Sequence, residues 1–399
     1  MPKSQINVAL VGARFAGSFH MEAYRRVHGV RVEVLGVASK DPARARAFAE
    51  RQGIPKAYAA LDELFADPDI DVVDLCVPNL LHKPLIIRAV QAGKDVICEK
   101  PLTGYYGPPD AGEGDLIGRR IKNQAMLDAV MGEVAELEKV LTQTGKRLFY
   151  GENWVYAPPI QKARRLLSAA EGTIMRMTGE ESHSGSHASY SYQWRTAGGG
   201  ALLGKGCHPL GAALYLKQDE GLRKFGRPIR PVSVSAEVAQ LTHMKEFEKE
   251  KRHYMRTGWQ DVEDWGSMLV TFQDGSVAQI TASDTVLGGV HNHLDVYASN
   301  ARIHCNINPV DAIVAYAPEP GIFKDEYIVE KIETNGGWTF PSPDEDWITG
   351  YYHELQDFIE CAADPDRQPL SGWQVARDCV AVIYAAYVSA EEGSRVKVP

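Results

Sequence analysis

The 399-residue chain is poor in the features that would place it outside the ordinary globular class. Its six cysteines, at 76, 98, 207, 305, 361 and 379, fall singly inside apolar or helical stretches. With no paired spacing a disulfide framework is excluded, and a reduced, cytoplasmic protein is expected. No window reaches about 18 uninterrupted apolar residues, so no membrane span is expected. Met1-Pro2-Lys3-Ser4 runs straight into an apolar strand and lacks the small-residue cleavage pattern of a secretory signal. Positive charge is not in surplus: 43 Lys and Arg stand against 52 Asp and Glu, a net charge of −9. That argues against a nucleic-acid partner, whose phosphates call for clustered cations. Internal repeats are missing too. What remains is 44% hydrophobic and 24% charged, enough to bury a large core. At roughly 150 residues per domain, the length gives two or three domains.

The first hundred residues alternate between two periodicities. Apolar runs at 6–11, 32–38, 72–77 and 95–98 are separated by helical patterns at 15–26, 41–52 and 84–91. Strands apolar on both sides, divided by helices, predict a parallel sheet with covered faces, a doubly wound dinucleotide-type domain over residues 1–150. Residues 104–123, rich in Gly and Pro, read as an inserted loop before a long helix at 124–144 and a strand at 147–151. Beyond 151 the texture changes. A helix at 160–170 precedes alternating segments at 232–239, 265–272, 276–282 and 293–298, which predict a mainly antiparallel open sheet in a second α/β domain, 151–399. The stretch 351–392 reads as helical, with a short strand at 396–398. The charge run 245–252 reads as a solvated face.

Gly12-Ala13-Arg14-Phe15-Ala16-Gly17 falls between the first strand and the first helix. In a full G-x-G-x-x-G loop the glycines allow a tight turn, close approach of the pyrophosphate and helix packing, with phosphates at the helix N-terminus. Here Arg14 replaces the middle glycine, and it either obstructs that approach or adds a guanidinium to the phosphates. The spacing alone also fits a plain strand–helix turn. The second strand ends Ser39-Lys40-Asp41. Ser39 and Lys40 suit the 2′-phosphate of NADP, whereas Asp41 either grips the ribose of NAD or caps the next helix beside Pro42. The third strand ends in Pro78-Asn79-Leu80-Leu81-His82 and the fourth in Glu99-Lys100-Pro101, both at the carboxyl ends of parallel strands, where ligands of such sheets bind. Beside a cationic nicotinamide, the ammonium form of Lys100 would be disfavoured; it would serve as base or hydrogen-bond donor, with Glu99 orienting it.

The order Gly12…Gly17, Pro78-Asn79-x-x-His82 and Glu99-Lys100-Pro101 resembles the Gfo/Idh/MocA family of sugar-handling oxidoreductases. The resemblance continues through Tyr156-x-Pro158, Trp194-Arg195, Gly198-Gly199-Gly200, Gly206-Cys207-His208 and Ser389-Ala390. It implies a Rossmann domain followed by an α/β domain whose open sheet often forms a dimer interface, hence a homodimer or homotetramer. It assigns Lys100 to the substrate hydroxyl and His208 to acid/base work. By itself, His208 before Pro209 reads as a capping histidine at a helix start.

The chain departs from the family pattern at two points. Family members commonly carry an Asp four residues before that His and another three after it, where this chain has Gly204 and Gly211. Lys205 would share a helix face with His208, replacing a carboxylate by an ammonium and pointing to an anionic sugar. The second departure is Glu180-Glu181-Ser182-His183-Ser184-Gly185-Ser186-His187, followed by Tyr190, Tyr192, Trp194 and Arg195. His183 and His187 are four apart, but the Ser and Gly between them favour a loop or strand over a metal-binding helix, and no metal is expected. Flat aromatics mixed with His, Ser and Arg suit a sugar pocket, to which Tyr156, Trp194, Arg195 and His291 would contribute.

These residues predict an NAD- or NADP-dependent oxidoreductase of a sugar, cyclitol or glycoside hydroxyl. The alternative is a redox-assisted glycosidase of the same family, using tightly held NAD, with a carboxylated or sulfonated sugar suiting Arg195 and Lys205. A third reading is a non-catalytic sensor of sugar or cofactor, against which Glu99-Lys100-Pro101 and His208 both speak.

Overall fold

The early apolar runs become a six-stranded parallel sheet in the computed structural model, which describes residues 2–112, 114–308, 312–329, 331–332 and 334–399. Its strands are β1 (Gln5–Val11), β2 (Arg31–Ala38), β3 (Lys56–Tyr58), β4 (Val72–Leu75), β5 (Asp95–Glu99) and β6 (Leu148–Gly151). They lie in the order β3-β2-β1-β4-β5-β6, all parallel. Helices Phe15–Tyr24, Pro42–Gln52, His82–Gln91 and Asn123–Thr144 provide the crossovers. Because both faces are covered, β4 is buried at every position. The order reverses between β1 and β4, which opens a crevice at the carboxyl ends of those strands. The short strand β3 carries too few residues to show a period and was not anticipated.

The second sheet is built from β7 (Ile174–Ser182), β8 (Pro231–Ala239), β9 (Trp265–Phe272), β10 (Val277–Ser283), β11 (His291–Ala298) and β12 (Arg302–Asn306). A two-stranded ribbon, β13 (Ala315–Ala317) with β14 (Gly337–Thr339), stands apart, and β15 (Val396–Lys397) closes the edge in the order β12-β11-β7-β10-β9-β8-β15. Every pairing is antiparallel except β7 with β10. β7, whose end at Glu180–Ser182 lies in the segment read as loop or strand, carries Arg176, Gly179, Glu180 and Glu181, which hide its alternation. Its place between β10 and β11 supplies the missing partners. Helices Cys207–Phe225 and Trp373–Glu392 cover one face of this sheet. Gly179 allows the close approach, since a Cβ there would stand 2.8 Å from Pro209.

The C-terminal stretch is two helices, Tyr351–Ala363 and Trp373–Glu392, rather than one. Asp364-Pro365 stops the first, because the residue before a proline is driven out of the helical region. The chain then returns to the parallel sheet. Helix Tyr351–Ala363 packs on helix Phe15–Tyr24, the Lys3 amide donates to the Ala363 carbonyl at 2.8 Å, and the Tyr150 amide donates to Ser371 at 3.1 Å. The 104–123 insertion is held just as firmly. Its Gly118 amide donates to Asp261 Oδ2 at 2.9 Å, Arg119 to the Gln260 carbonyl at 2.6 Å and the Tyr105 amide to Tyr384 Oη at 2.6 Å. Glu113 of the insertion lies outside the described residues. Among the described residues no helix is long and apolar enough to cross a membrane.

Candidate active site

The turn after β1 is shaped for close approach. Gly12 has φ +121° and a Cβ there would stand 2.0 Å from the Cys76 carbonyl oxygen; one on Gly17 would meet the Gly12 oxygen at 2.9 Å. Helix Phe15–Tyr24 follows with no side-chain cap at Arg14 and no acidic residue in its first turn, so its leading amides are left for an anion. Arg14 and Phe15 are exposed at the rim, and Ala16 is half-buried. These features fit a dinucleotide pyrophosphate. At the end of β2, Asp41 Oδ1 accepts from the amides of Ala43 and Arg44, and its other oxygen lies 3.3 Å from the Arg44 guanidinium. Asp41 therefore caps helix Pro42–Gln52, while Lys40 stays exposed beside Ser39.

Pro78 is exposed, and Asn79 Nδ2 donates to the Ala197 carbonyl at 2.6 Å, which ties the third-strand loop to the second unit. His82 is buried with Nδ1 2.8 Å from the Pro101 carbonyl and Nε2 3.0 Å from that of Val77. Expected at the cofactor, it lies beside the loop that carries Lys100, and the one hydrogen bond its neutral ring can donate goes to main chain.

Lys100, at the carboxyl end of β5, donates to the Gly204 carbonyl at 2.9 Å. Burial opposes its charge, but Cys207, Glu181, Glu99 and Glu152 outweigh burial and raise its pKa. The chain by itself thus favours the ammonium form, the reverse of the expectation drawn from a cationic neighbour. Behind it, Glu99 Oε1 lies 2.9 Å from Nε2 of His20, whose Nδ1 is 2.7 Å from Asp74 Oδ2, which also accepts from Tyr24 Oη at 2.7 Å. Burial works against a charge on His20, and Asp74 overcomes it, raising the pKa well above the ordinary range.

His208 is buried, with Nδ1 2.6 Å from Glu152 Oε1, Nε2 3.8 Å from Glu181 Oε2 and its ring stacked on Trp154. Burial, then Lys100 and Lys205, push its pKa well below the ordinary range. Burial pushes Glu152 up. Both directions favour the neutral pair: the ring donates its Nδ1 proton to Glu152 Oε1, and Glu152 Oε2, buried with no hydrogen-bond partner among the described residues, carries the acid proton. Glu152 reaches this place because position 211 is glycine: a Cβ there would stand 2.6 Å from Glu152 Cγ. The glutamate that follows β6 occupies the room a side chain at 211 would need.

Lys205 is buried and paired with Asp284 at 2.7 Å. It does not supply the unpaired cation expected for an anionic sugar. Arg195 likewise donates to the Gly112 carbonyl, securing the insertion. His183 lies 4.0 Å from Asp284 and accepts from the Gly185 amide at 3.0 Å. His187 is exposed and bonded to Arg256, so the two histidines do not converge. Tyr156, expected at the substrate, is buried in the core, donating to Asp357 Oδ2 at 2.8 Å and accepting from the Ser371 amide at 2.9 Å. Trp194 is buried against Tyr387. His291 stands at the edge of a cleft of about 310 Å³ with His293, Asp295 and His304. Alternation along β11 puts these residues on the face opposite buried Leu294 and Val296, away from the helix-covered side where Glu181 meets His208.

The structure thus gathers Lys100, His208, Glu99 and Lys205 with Glu181 of the Glu180–His187 segment and with three groups that no motif marks: Glu152, Asp284 and His20. Glu152 follows β6 as Lys100 follows β5, so the carboxyl-end rule marks it equally. Asp74 was visible as a lone charge inside Val-Val-Asp-Leu.

A family model described as "Oxidoreductase family, NAD-binding Rossmann fold" matches residues 6–110, and the Gfo/Idh/MocA C-terminal domain matches residues 160–304. Together they cover well over half of the chain. The levoglucosan dehydrogenase of Pseudarthrobacter phenanthrenivorans is 26% identical over 334 residues, spanning 79% of this chain and 77% of that protein. An uncharacterized oxidoreductase of Rhizobium meliloti is 44% identical over 105 residues, which span 25% of this chain and only 30% of that relative's length. Among solved structures, GenD2 from gentamicin A biosynthesis, in complex with NAD, superposes with a TM-score of 0.77 at 25% identity, covering 100% of this chain and 98% of that one.

Proposed function

Since the chain belongs to the Gfo/Idh/MocA family of NAD-binding oxidoreductases, we propose that it oxidises a ring hydroxyl of a sugar, cyclitol or glycoside. The observation that carries this reading is the convergence of Lys100, at the end of β5, with His208 and its carboxyl partner Glu152. Bound nicotinamide supplies the two-electron acceptor. The Gly12–Gly17 turn and the first turn of helix Phe15–Tyr24 hold its pyrophosphate, with Arg14, Phe15 and Ala16 at the rim. Ser39 and Lys40 support NADP, since Asp41 is engaged as a cap; NAD, bound in the GenD2 structure, remains the alternative. Lys100, as ammonium, donates a hydrogen bond to the reacting hydroxyl oxygen. Neutral His208 takes the hydroxyl proton at Nε2, while Glu152 Oε1, accepting from Nδ1, fixes the ring and its tautomer so that Nε2 is left free. Glu99, held by His20 and Asp74, keeps the Lys100 loop in place.

Incubating the protein with levoglucosan, myo-inositol or other polyols and excess NAD+ or NADP+ should accumulate reduced nicotinamide. Lys100→Met should abolish turnover while cofactor affinity, read by calorimetry, survives; a near-normal rate refutes its role. Release of the aglycone from aryl glycosides without net nicotinamide reduction would favour the glycosidase. Cofactor binding with no turnover of either kind would favour a sensor.

A further inference from the structure

Glu354 lies on helix Tyr351–Ala363, fully buried, and neither of its carboxyl oxygens has a hydrogen-bond partner. Leaving a buried polar group unpaired costs about 1–3 kcal/mol, more for a charge, so such a group calls for a reason. Its position supplies one. The helix packs on Phe15–Tyr24, which carries His20, and on the turn Asn153–Tyr156, which Glu152 caps. Gly350 brings the elements together: a Cβ there would stand 2.3 Å from the Asn153 carbonyl oxygen. Glu354 is thus carried by a helix that touches both the element bearing His20 and the turn capped by Glu152, and it feels the charges of Glu99, His20, Glu152 and Asp74.

We propose that Glu354 relays a proton between the His208–Glu152 pair and the Glu99–His20–Asp74 row, each of its free oxygens serving one of them. The idea rests on the dehydrogenase reading. In the oxidation direction the substrate O–H bond breaks and an N–H bond forms on His208 Nε2, while the Nδ1 proton passes to Glu152 Oε1 and the acid proton on Glu152 Oε2 is released. Through a water, the proton released from Glu152 Oε2 reaches one oxygen of Glu354, and the proton already on its other oxygen leaves through a second water to Glu99. The Glu99 side chain is 15% exposed and returns the proton to solvent. Every step moves one proton and no electrons, and reduction runs the sequence backwards. The groups facing Glu354 agree with this role. Burial pushes its pKa well above the ordinary range; Glu99, Glu152 and Asp74 push the same way, and only His20 opposes. In the resting protein it is a neutral acid, able to accept on one oxygen as it gives from the other. Tyr24 and Tyr156, the other ionisable groups nearby, are bonded to Asp74 and Asp357.

The test uses the full chain and the variants Glu354→Gln and Glu354→Asp. Infrared spectra of the resting protein should show the carbonyl stretch of a protonated carboxylic acid, shifted in D2O. Glu354→Gln should remove one component of it. With levoglucosan or myo-inositol and NAD+, Glu354→Gln should lower kcat by about 10-fold or more. KM should hold, the solvent isotope effect on kcat should rise, and Glu354→Asp should restore part of the rate. An unchanged band, or an unchanged kcat and isotope effect in Glu354→Gln, overturns the relay. The band reports on Glu354 whatever the substrate proves to be, whereas a wild type that reduces neither cofactor overturns the dehydrogenase reading alone.

Discussion

His183 shows how far a buried site can move a single side chain. Burial, followed by the charges of Lys205, Lys331 and Lys100, lowers its pKa to about 2. The ring is neutral in the fold, while in the unfolded chain it takes up a proton below about pH 6.5. Its contribution to stability is therefore present above pH 6.5 and lost as pH falls toward 2, at up to about 1.4 kcal/mol per pH unit. Urea denaturation at pH 7 and pH 5 should show that loss in the wild type, and His183→Gln should flatten it; an equal slope in both would place the acid sensitivity elsewhere. Gly211 and Glu152 make the same point by shape. The sequence shows a missing carboxylate at 211, and only the fold shows that the space there is filled by the glutamate that follows β6.

At the level of elements, the join between β2 and helix Pro42–Gln52 bears on cofactor choice. Asp41 has both oxygens engaged at the helix start, so Asp41→Ala should cost about 1 kcal/mol of stability, as loss of a helix cap does. It should leave the ratio of NADH to NADPH affinity nearly unchanged, whereas Lys40→Ala should weaken NADPH alone. Calorimetric titration of both cofactors against both variants decides; a selective loss of NADH binding in Asp41→Ala would assign the carboxylate to the ribose. Strand β7 is the element least legible in advance. Its charges belong to function and to the open face, so they break the period-2 pattern that marks a strand.

Across the whole molecule, the C-terminal helices close the N-terminal sheet. Arg147 donates to the carbonyls of Cys361, Ala362 and Asp364 besides pairing with Asp95. A fragment ending at residue 150 loses those contacts together with helix Tyr351–Ala363. It should therefore lack cooperative unfolding by circular dichroism, while the full chain melts in one transition; a fragment that melts cooperatively would show the first unit to be self-sufficient. The sequence by itself determined the parallel and antiparallel sheets, the glycine turn and the candidates Lys100 and His208. Those depend on local periodicity, on glycine's freedom at positive φ and on short motifs at strand ends. Tertiary structure alone decided which cations have partners, which histidines converge, and that Glu152 meets His208 and Asp284 meets Lys205. Each of those contacts joins residues far apart in the chain, and burial then sets the charge each group can carry.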